Sequence, residues 1–556
     1  MGKYHGRYHT WGPPGSGKTT WLTRQIDAIL QATEVDGRRL QVAVCSLTRA
    51  AAAEVAGRNP VVPKHAIGTL HSFAYRALGR PEIAELHLDE WNAKHPELRL
   101  AVKGNLDDPK DEDAATDRAS ADATATFLRY QTARARRTPR DLWPVSLRAF
   151  AEQWEAWKHE NDYFDFTDLI EEALLAQTTM PGNPRVLLVD EAQDYSRLEH
   201  DLVDMWARDA EAVMLAGDPY QCLYAWRGSD PDLFLRDDLP EDRLKVLAKS
   251  WRLPRAIRDA ALAWVSQLDN FRPIHYRDRG EEGRVVRLAA PYHLRNPGLL
   301  ADLIERGLEA DDESTHLVCA ACSYMLTPLI HELRNRGIPF ANPLRPTNGR
   351  WNPLGPRSGT SLTQRLLALL AVFQHPRLWT HREMDLWAKH TRGILNRGAK
   401  KAIADLAKTM PTTPVRDEKL REWLTDDARR TILAALQVPQ PWNELARWWQ
   451  ANLNARSRHL GEYLVKCLHR GGVKALQQRP RVWLGTIHSV KGGEADYVYL
   501  APDLSPQGAA CYTGRAGPEG RNGVIRQFYV GMTRARRGLL LLAASGHRTA
   551  VTWRCA

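Results

Sequence analysis

The stretch GPPGSGKT, residues 12–19, constrains the fold more than any other part of this chain. It satisfies the spacing G-x-x-x-x-G-K-[ST]. It stands between a short strand-like run, YHTW, and TWLTRQIDAILQA, whose apolar residues recur at helical spacing. Glycines let the backbone curl so that its amides face inward around phosphate oxygens, at the start of a helix. Gly12, Pro13, Pro14, Gly15, Ser16 and Gly17 would form the cradle. Lys18 would reach the outer phosphates of a nucleotide, and Thr19 would ligand magnesium.

A phosphate loop of this kind needs an acidic partner at the end of a buried strand. RVLLVDEAQD, residues 185–194, supplies it: VLLV is an uninterrupted apolar run, as strands buried on both faces require. Asp190 at its tip can hold magnesium, and Glu191 is placed to polarise a water. An adjacent general base points to hydrolysis of the nucleotide rather than transfer to a small molecule. AGDPYQCLYAWRG, residues 216–228, again leaves a strand-like run. It carries Asp218 and Gln221 first, then Tyr224, Trp226 and Arg227, which no core strand needs at its exit. Strands and helices alternate around these motifs, which implies parallel α/β sheets.

Further segments occur in a fixed order: CSLTRAAAAEVAGR (45–58), IGTLHSFAYRAL (67–78), DFTDLIEEAL (165–174), LAKSWRLPRAI (247–257), LGTIHSVKGGEADYVYL (484–500) and QFYVGMTRARRGLLLL (527–542). With the motifs above, this series resembles the superfamily 1 helicases of the UvrD/PcrA/Rep type. The resemblance implies two RecA-like parallel-sheet motor domains, each interrupted by a mainly helical insertion. It implies ATP and Mg2+ as the nucleotide and its ion. It also implies movement on single-stranded DNA, 3′ to 5′, coupled to unwinding at duplex junctions. Gln221 would face the γ-phosphate, and Arg252 and Arg534 would be arginine fingers. Trp251 would stack on the base, and Glu494 would approach the ribose. Thr48, Thr69, His71, Phe73, Tyr224, Trp226, Arg227, Thr486 and His488 would contact DNA; Phe73 fits a core position equally well. Aromatic faces stack on any base, so such contacts grip without reading sequence. A translocase that displaces proteins without unwinding shares every motif. A catalytically silent DNA-binding scaffold would need none of Lys18, Asp190, Glu191, Gln221, Arg252 or Arg534. Only eleven residues precede Gly12 and none is Gln, so the adenine-reading residue of many relatives is expected to be missing.

At 556 residues the chain exceeds one core. The first motor domain is expected over 1–75 and 160–250, with an insertion at 76–159. The second is expected over 251–345 and 480–556, carrying the arginine fingers, with a helical insertion at 346–479. A net charge of +11 favours a polyanionic partner. The seven cysteines are scattered, which suits a reducing cytoplasm, and the lone pair Cys319/Cys322 reads as buried thiols. No run is apolar enough over sufficient length to span a bilayer, and the expected setting is soluble and cytoplasmic. Trp442, Trp448 and Trp449 are expected in the core of the second insertion. RGILNRGAKKAI (392–403) could present amides and charge to a duplex backbone.

Overall fold

In the computed structural model, the residues described are 6–35, 41–46, 62–100, 118–235, 239–355, 360–374, 377–438, 442–546 and 549–553. Strands β1 (Gly6–Trp11), β2 (Val42–Ser46) and β3 (Ile67–Thr69) precede a short ribbon of β4 (Glu82–Ile83) and β5 (Tyr163–Phe164). After them come β6 (Val186–Val189), β7 (Ala212–Gly217) and β8 (Leu244–Val246). The first sheet has six strands in the order β3-β2-β6-β7-β1-β8, and every neighbouring pair is parallel. Val186, Leu188, Met214 and Ala216 pack on one face with Leu22, Ile26 and Ile29 of the helix Lys18–Val35. Leu187, Val189, Val213 and Leu215 alternate with them and are buried as well. Burial on both faces is why VLLV and AVMLAG show no polar alternation.

Strand order positions the site. β7 lies between β6 and β1, so its exit at Asp218 emerges between the phosphate loop after β1 and Asp190 after β6. Ligand sites of parallel sheets form at such carboxyl ends.

The first insertion has an aromatic core of its own, including Trp91, Phe127, Tyr130, Phe150, Trp154 and Trp157. Trp91 and Trp154 meet edge to face at 5.0 Å. Asp165 closes this region. It caps the helix Phe166–Leu175 in a capping box and accepts from Trp154 Nε1 (3.0 Å) and Lys158 Nζ (2.7 Å), with Arg134 at 3.1 Å. Burial alone would raise its carboxyl, but Lys158 and Arg134 outweigh burial and hold it well below the usual carboxylate range.

The second sheet uses β9 (Arg284–Arg287), β10 (His316–Ala320), β11 (Phe340–Ala341), β12 (Val482–Thr486), β13 (Ala495–Leu500) and β14 (Ala535–Leu541). Its order is β11-β12-β10-β13-β14-β9, with β11, β12, β10 and β13 parallel. Between β11 and β12 come helices, and their buried residues are continuous with those of the sheet in one core. Trp449 is buried and donates to the Trp387 carbonyl (3.0 Å), and Trp442 and Trp448 pack against the same core. Cys319 is buried in β10 and Cys322 half-buried after it.

By contacts the chain divides into two compact units, residues 1–285 with 506–537 and 553–556, and residues 286–505 with 538–552. Residues 251–285 and 506–537, drawn above with the second motor domain, therefore pack with the first sheet. Two hydrogen bonds to the loop after β7 show how: the Arg272 N–H donates to Tyr220 Oη (2.9 Å), and Arg534 Nη2 donates to Gln221 Oε1 (2.8 Å).

Candidate functional site

The phosphate loop leaves β1 at Gly12, whose N–H donates to the Gly217 carbonyl (2.9 Å), and enters the helix at Lys18. Pro13 accepts from the Ser16 N–H at 3.0 Å, which curls the loop. Gly15 and Gly17 have φ of +70° and +80°, a region costly for residues with a Cβ. Lys18 Nζ donates back to the Gly12 carbonyl at 3.0 Å, lying across the loop it would serve. Ser16 Oγ is buried and has no hydrogen-bond partner. A buried unpaired hydroxyl is costly, and a phosphate oxygen would satisfy it. Thr19 Oγ1 donates to Asp190 Oδ2 at 3.0 Å, bringing the two expected magnesium ligands together. Burial, then the neighbouring Glu191, push the Asp190 carboxyl up to about 6. A hydroxyl and a desolvated carboxylate are oxygen donors of the kind Mg2+ takes, beside phosphates. The residues present thus fit a magnesium nucleotide, in which the ion would neutralise phosphate charge.

Glu191 follows with left-handed backbone angles, φ 55° and ψ 38°. For a residue with a Cβ this costs on the order of 1 kcal/mol. The conformation turns the chain away from β6 directly after Asp190. Gln193 Nε2 donates to Glu191 Oε2 at 2.5 Å, and Gln193 Oε1 accepts from the Asp218 N–H at 3.0 Å. Gln221 Nε2 donates to Asp218 Oδ2 at 2.6 Å. Arg534 is buried, and its Nη2 donates to Gln221 Oε1 at 2.8 Å while its Nε donates to the Val530 carbonyl at 2.9 Å. Arg252 Nη1 reaches the Thr533 carbonyl at 3.4 Å. The Trp251 N–H donates to the Gly15 carbonyl (2.8 Å), pinning this segment to the phosphate loop. The Trp251 ring is 68% exposed, with Lys249 Nζ 4.0 Å from its centre. A flat, open ring anchored to the phosphate loop is a ready platform for a base.

On the far side of the same loop, Trp226 is 40% exposed. It lines a cleft with Arg227, His71, Thr132, Phe166 and Glu199. Glu199 is buried, which would raise its carboxyl; His71, 3.8 Å away, Arg227 and Ser196 together hold it below its ordinary value. Helix Arg118–Ala135 supports the loop, with Arg136 Nη2 donating to the Ala225 carbonyl at 2.9 Å. Gly228 takes φ +99° there, and a Cβ on it would stand 2.9 Å from Ala135 Cβ.

Several expected DNA contacts are placed otherwise. Phe73 is fully buried under Arg76, whose guanidinium lies 4.5 Å from the ring centre, so it is a packing residue. Tyr224 is also buried, its ring 6.5 Å from that of Trp226; it backs the exposed tryptophan instead of offering a face of its own. The Thr69 side chain caps the helix Leu70–Ala77, accepting from the Ser72 N–H at 3.2 Å. Thr486, the last residue of β12, and His488 and Glu494, on the loop between β12 and β13, belong to the second unit and are half-buried; Thr486 Oγ1 accepts from the Ser489 N–H at 3.1 Å. Thr48 lies outside the described residues. Gln193 escaped the sequence reading, although it stands within DEAQD; its partner, the Asp218 amide, follows another strand, β7.

Residues 4–240 match the family model for the UvrD/REP helicase N-terminal domain, and residues 451–546 that for the UvrD-like helicase C-terminal domain. The chain is similar to the ATP-dependent DNA helicase srs2 of Schizosaccharomyces pombe, with 25% identity over 47% of this chain and 33% of the relative. It is also similar to the ATP-dependent DNA helicase PcrA of Staphylococcus epidermidis, with 24% identity over 44% of this chain and 36% of the relative. A third relative is the ATP-dependent DNA helicase Rep of Buchnera aphidicola, 26% identical over 23% of this chain and 20% of the relative. The matches thus span about a third or less of these curated relatives. Among the described residues, no helix is long and apolar enough to cross a membrane.

Proposed function

Because the chain belongs to the UvrD/PcrA/Rep-like superfamily 1 helicases, we propose that it is an ATP-driven DNA translocase and helicase. It would move 3′ to 5′ on single-stranded DNA and open duplex at junctions, with magnesium held by Thr19 and Asp190. One observation supports this reading above the others. A single loop leaves β7 with Gln221 hydrogen-bonded to Arg534 and, a few residues on, holds Trp226 in an open cleft beside Arg227. Chemistry at the γ-phosphate and grip on a base are thereby joined through one short segment. Glu191 would activate the attacking water, and Lys18, Arg252 and Arg534 would offset charge on the transferring phosphoryl. Trp251 would stack on the nucleobase. His71 and Arg227 would line the strand path beside Trp226.

The test is strand displacement from 3′-tailed and 5′-tailed duplexes with ATP, run beside ATPase with and without single-stranded DNA. Unwinding of the 3′-tailed substrate and DNA-stimulated hydrolysis are expected. Stimulated hydrolysis without displacement of either strand would overturn the unwinding assignment, and no hydrolysis at all would overturn the motor.

A further inference from the structure

From Glu191 to Arg534 runs a continuous chain of hydrogen bonds through buried groups. Gln193 bonds Glu191 and the Asp218 N–H, Asp218 accepts from Gln221, and Gln221 accepts from Arg534. Gln193 is completely buried. The orientation of its amide is dictated by its neighbours. An N–H donor faces one end, while the carboxylates of Glu191 and Asp194 (Oδ2 at 3.2 Å) face the other. The oxygen must therefore meet the Asp218 amide and the nitrogen the carboxylates. Gly217 makes the room: a Cβ there would stand 2.5 Å from Gln193 Oε1.

The turn that carries Gln193 is also laced to the far end of the Trp226 loop. The Leu223 N–H donates to Asp194 Oδ1 at 3.3 Å, Ser229 Oγ donates to the Asp194 carbonyl, and the Asp230 N–H donates to the Tyr195 carbonyl at 3.1 Å. Residues 218 and 223 and residues 229 and 230 thus grip the turn from both sides of Trp226. A displacement of the loop that bears Trp226 is carried into residues 193–195, and from that turn the Gln193 side chain donates to Glu191.

We propose that Gln193 is a positioning residue that transmits the state of the Trp226 loop to the Glu191 carboxylate. A base stacked on Trp226 would set the loop, the loop would set the Gln193 amide through the Asp218 N–H, and the amide would hold Glu191 in line with the attacking water. Gln193 itself touches neither nucleotide nor DNA in this scheme, and Gly217 is the seat that permits it. The inference rests on reading the site as a DNA-stimulated ATPase.

The experiment uses the full chain with an oligothymidylate strand as the probe. It compares wild type with Gln193→Met, Gln193→Glu and Gly217→Ala, recording kcat with and without the strand, KM for ATP, Kd for the strand and Tm. Gln193→Met removes both hydrogen bonds. Gln193→Glu keeps an acceptor for the Asp218 N–H but sets a second carboxylate against Glu191. Gly217→Ala crowds the Gln193 oxygen most closely and also meets the edge of the Phe234 ring at 3.2 Å. All three are expected to lose about 10- to 100-fold in stimulated kcat, with KM and Kd within about twofold of wild type. Stimulated kcat at the wild-type level in Gln193→Met or Gln193→Glu overturns the proposal. So does a loss in which KM, Kd and Tm deteriorate together, since that marks a merely structural residue. Should Gln193→Met fail to fold, Gln193→Glu and Gly217→Ala decide the matter on the same criteria. A wild-type enzyme that the strand does not stimulate overturns the ATPase reading itself and is distinguishable from either result.

Discussion

Glu191 is held by its surroundings in a backbone conformation that ordinary side chains avoid, with φ of 55°, and its carboxylate is tied to the Gln193 amide. A water-activating base should be separable from nucleotide binding. Glu191→Gln is expected to bind ATP as wild type does while turnover falls by about 10²–10⁴-fold; single-turnover hydrolysis beside nucleotide titration measures both. Trp226 offers the complementary case. Its ring is open and its backbone is held by Arg136 through Ala225 and by Thr132, whose hydroxyl lies 2.9 Å from the Trp226 carbonyl. Trp226→Ala should weaken binding of an oligothymidylate by about 1–3 kcal/mol and leave hydrolysis without DNA unchanged. Undiminished affinity, measured by fluorescence anisotropy, would mean that the ring does not stack on bases. At this scale the sequence was legible where residue type is tied to one task. Glycines before Lys18 and Thr19 have few uses besides a phosphate loop. Phe73 was illegible for the opposite reason: an aromatic in a motif is written identically whether it stacks on a base or fills a core. Only its full burial separates the two. Gln193 was missed because its meaning lies in a hydrogen bond to Asp218, which leaves the adjacent strand.

Among the elements, the strands that carry the site were the most readable. VLLV and AVMLAG are buried at every position, so their apolar runs are continuous and end where the chemistry begins. The assignment of residues 251–285 and 506–537 was less readable, because motif order along the chain does not show which sheet a segment packs against. The loop after β7 decides it: Tyr220 Oη accepts from the Arg272 N–H and Gln221 Oε1 from Arg534 Nη2. In the second insertion, the turn before the helix Ala399–Thr409 shows how a local pattern gains a testable geometry. Gly398, at φ 85°, starts the helix; Ala399 and Ile403 face the core, and Lys400 and Lys401 stay exposed. Two exposed lysines at the start of a helix suit a phosphate backbone. Replacing both lysines by alanine should weaken binding to blunt duplex and reduce the salt slope of log K by about 2. ATPase stimulated by single strands should be unaffected. Duplex affinity and salt slope equal to wild type would dissociate this turn from DNA.

For the whole molecule, each compact unit carries a buried histidine whose protonation is suppressed. His200, in the first unit, is pushed down to about 4, first by burial and then by Arg7, against the pull of Asp204, Glu199 and Asp230. Its Nε2 has no hydrogen-bond partner. His316, in the second unit, is also pushed down to about 4, by burial and Arg481, against Asp496 and Asp311. Its ring lies between two hydroxyls, Ser314 Oγ at 2.9 Å and Tyr499 Oη at 3.1 Å, which the neutral ring can satisfy. An unfolded histidine takes up its proton near pH 6.5, whereas these folded ones resist until about 4. Between those values the unfolded chain binds more protons, so stability is full above the upper value and falls as pH drops towards the lower one. Each histidine should contribute a loss on the order of 3 kcal/mol across that window. Carboxylates such as Asp165, held low by Lys158 and Arg134, act in the same direction but only at more acid pH, below their own unfolded value. The two effects are therefore separable on the pH axis. Urea midpoints should decline from near-neutral pH, and the decline above pH 5 or so should be shallower in His200→Asn and in His316→Asn than in wild type. Because the two histidines lie in different units, each substitution should flatten the transition of its own unit and leave the other's pH dependence as it was. Identical slopes in wild type and both variants would assign the acid sensitivity to other groups.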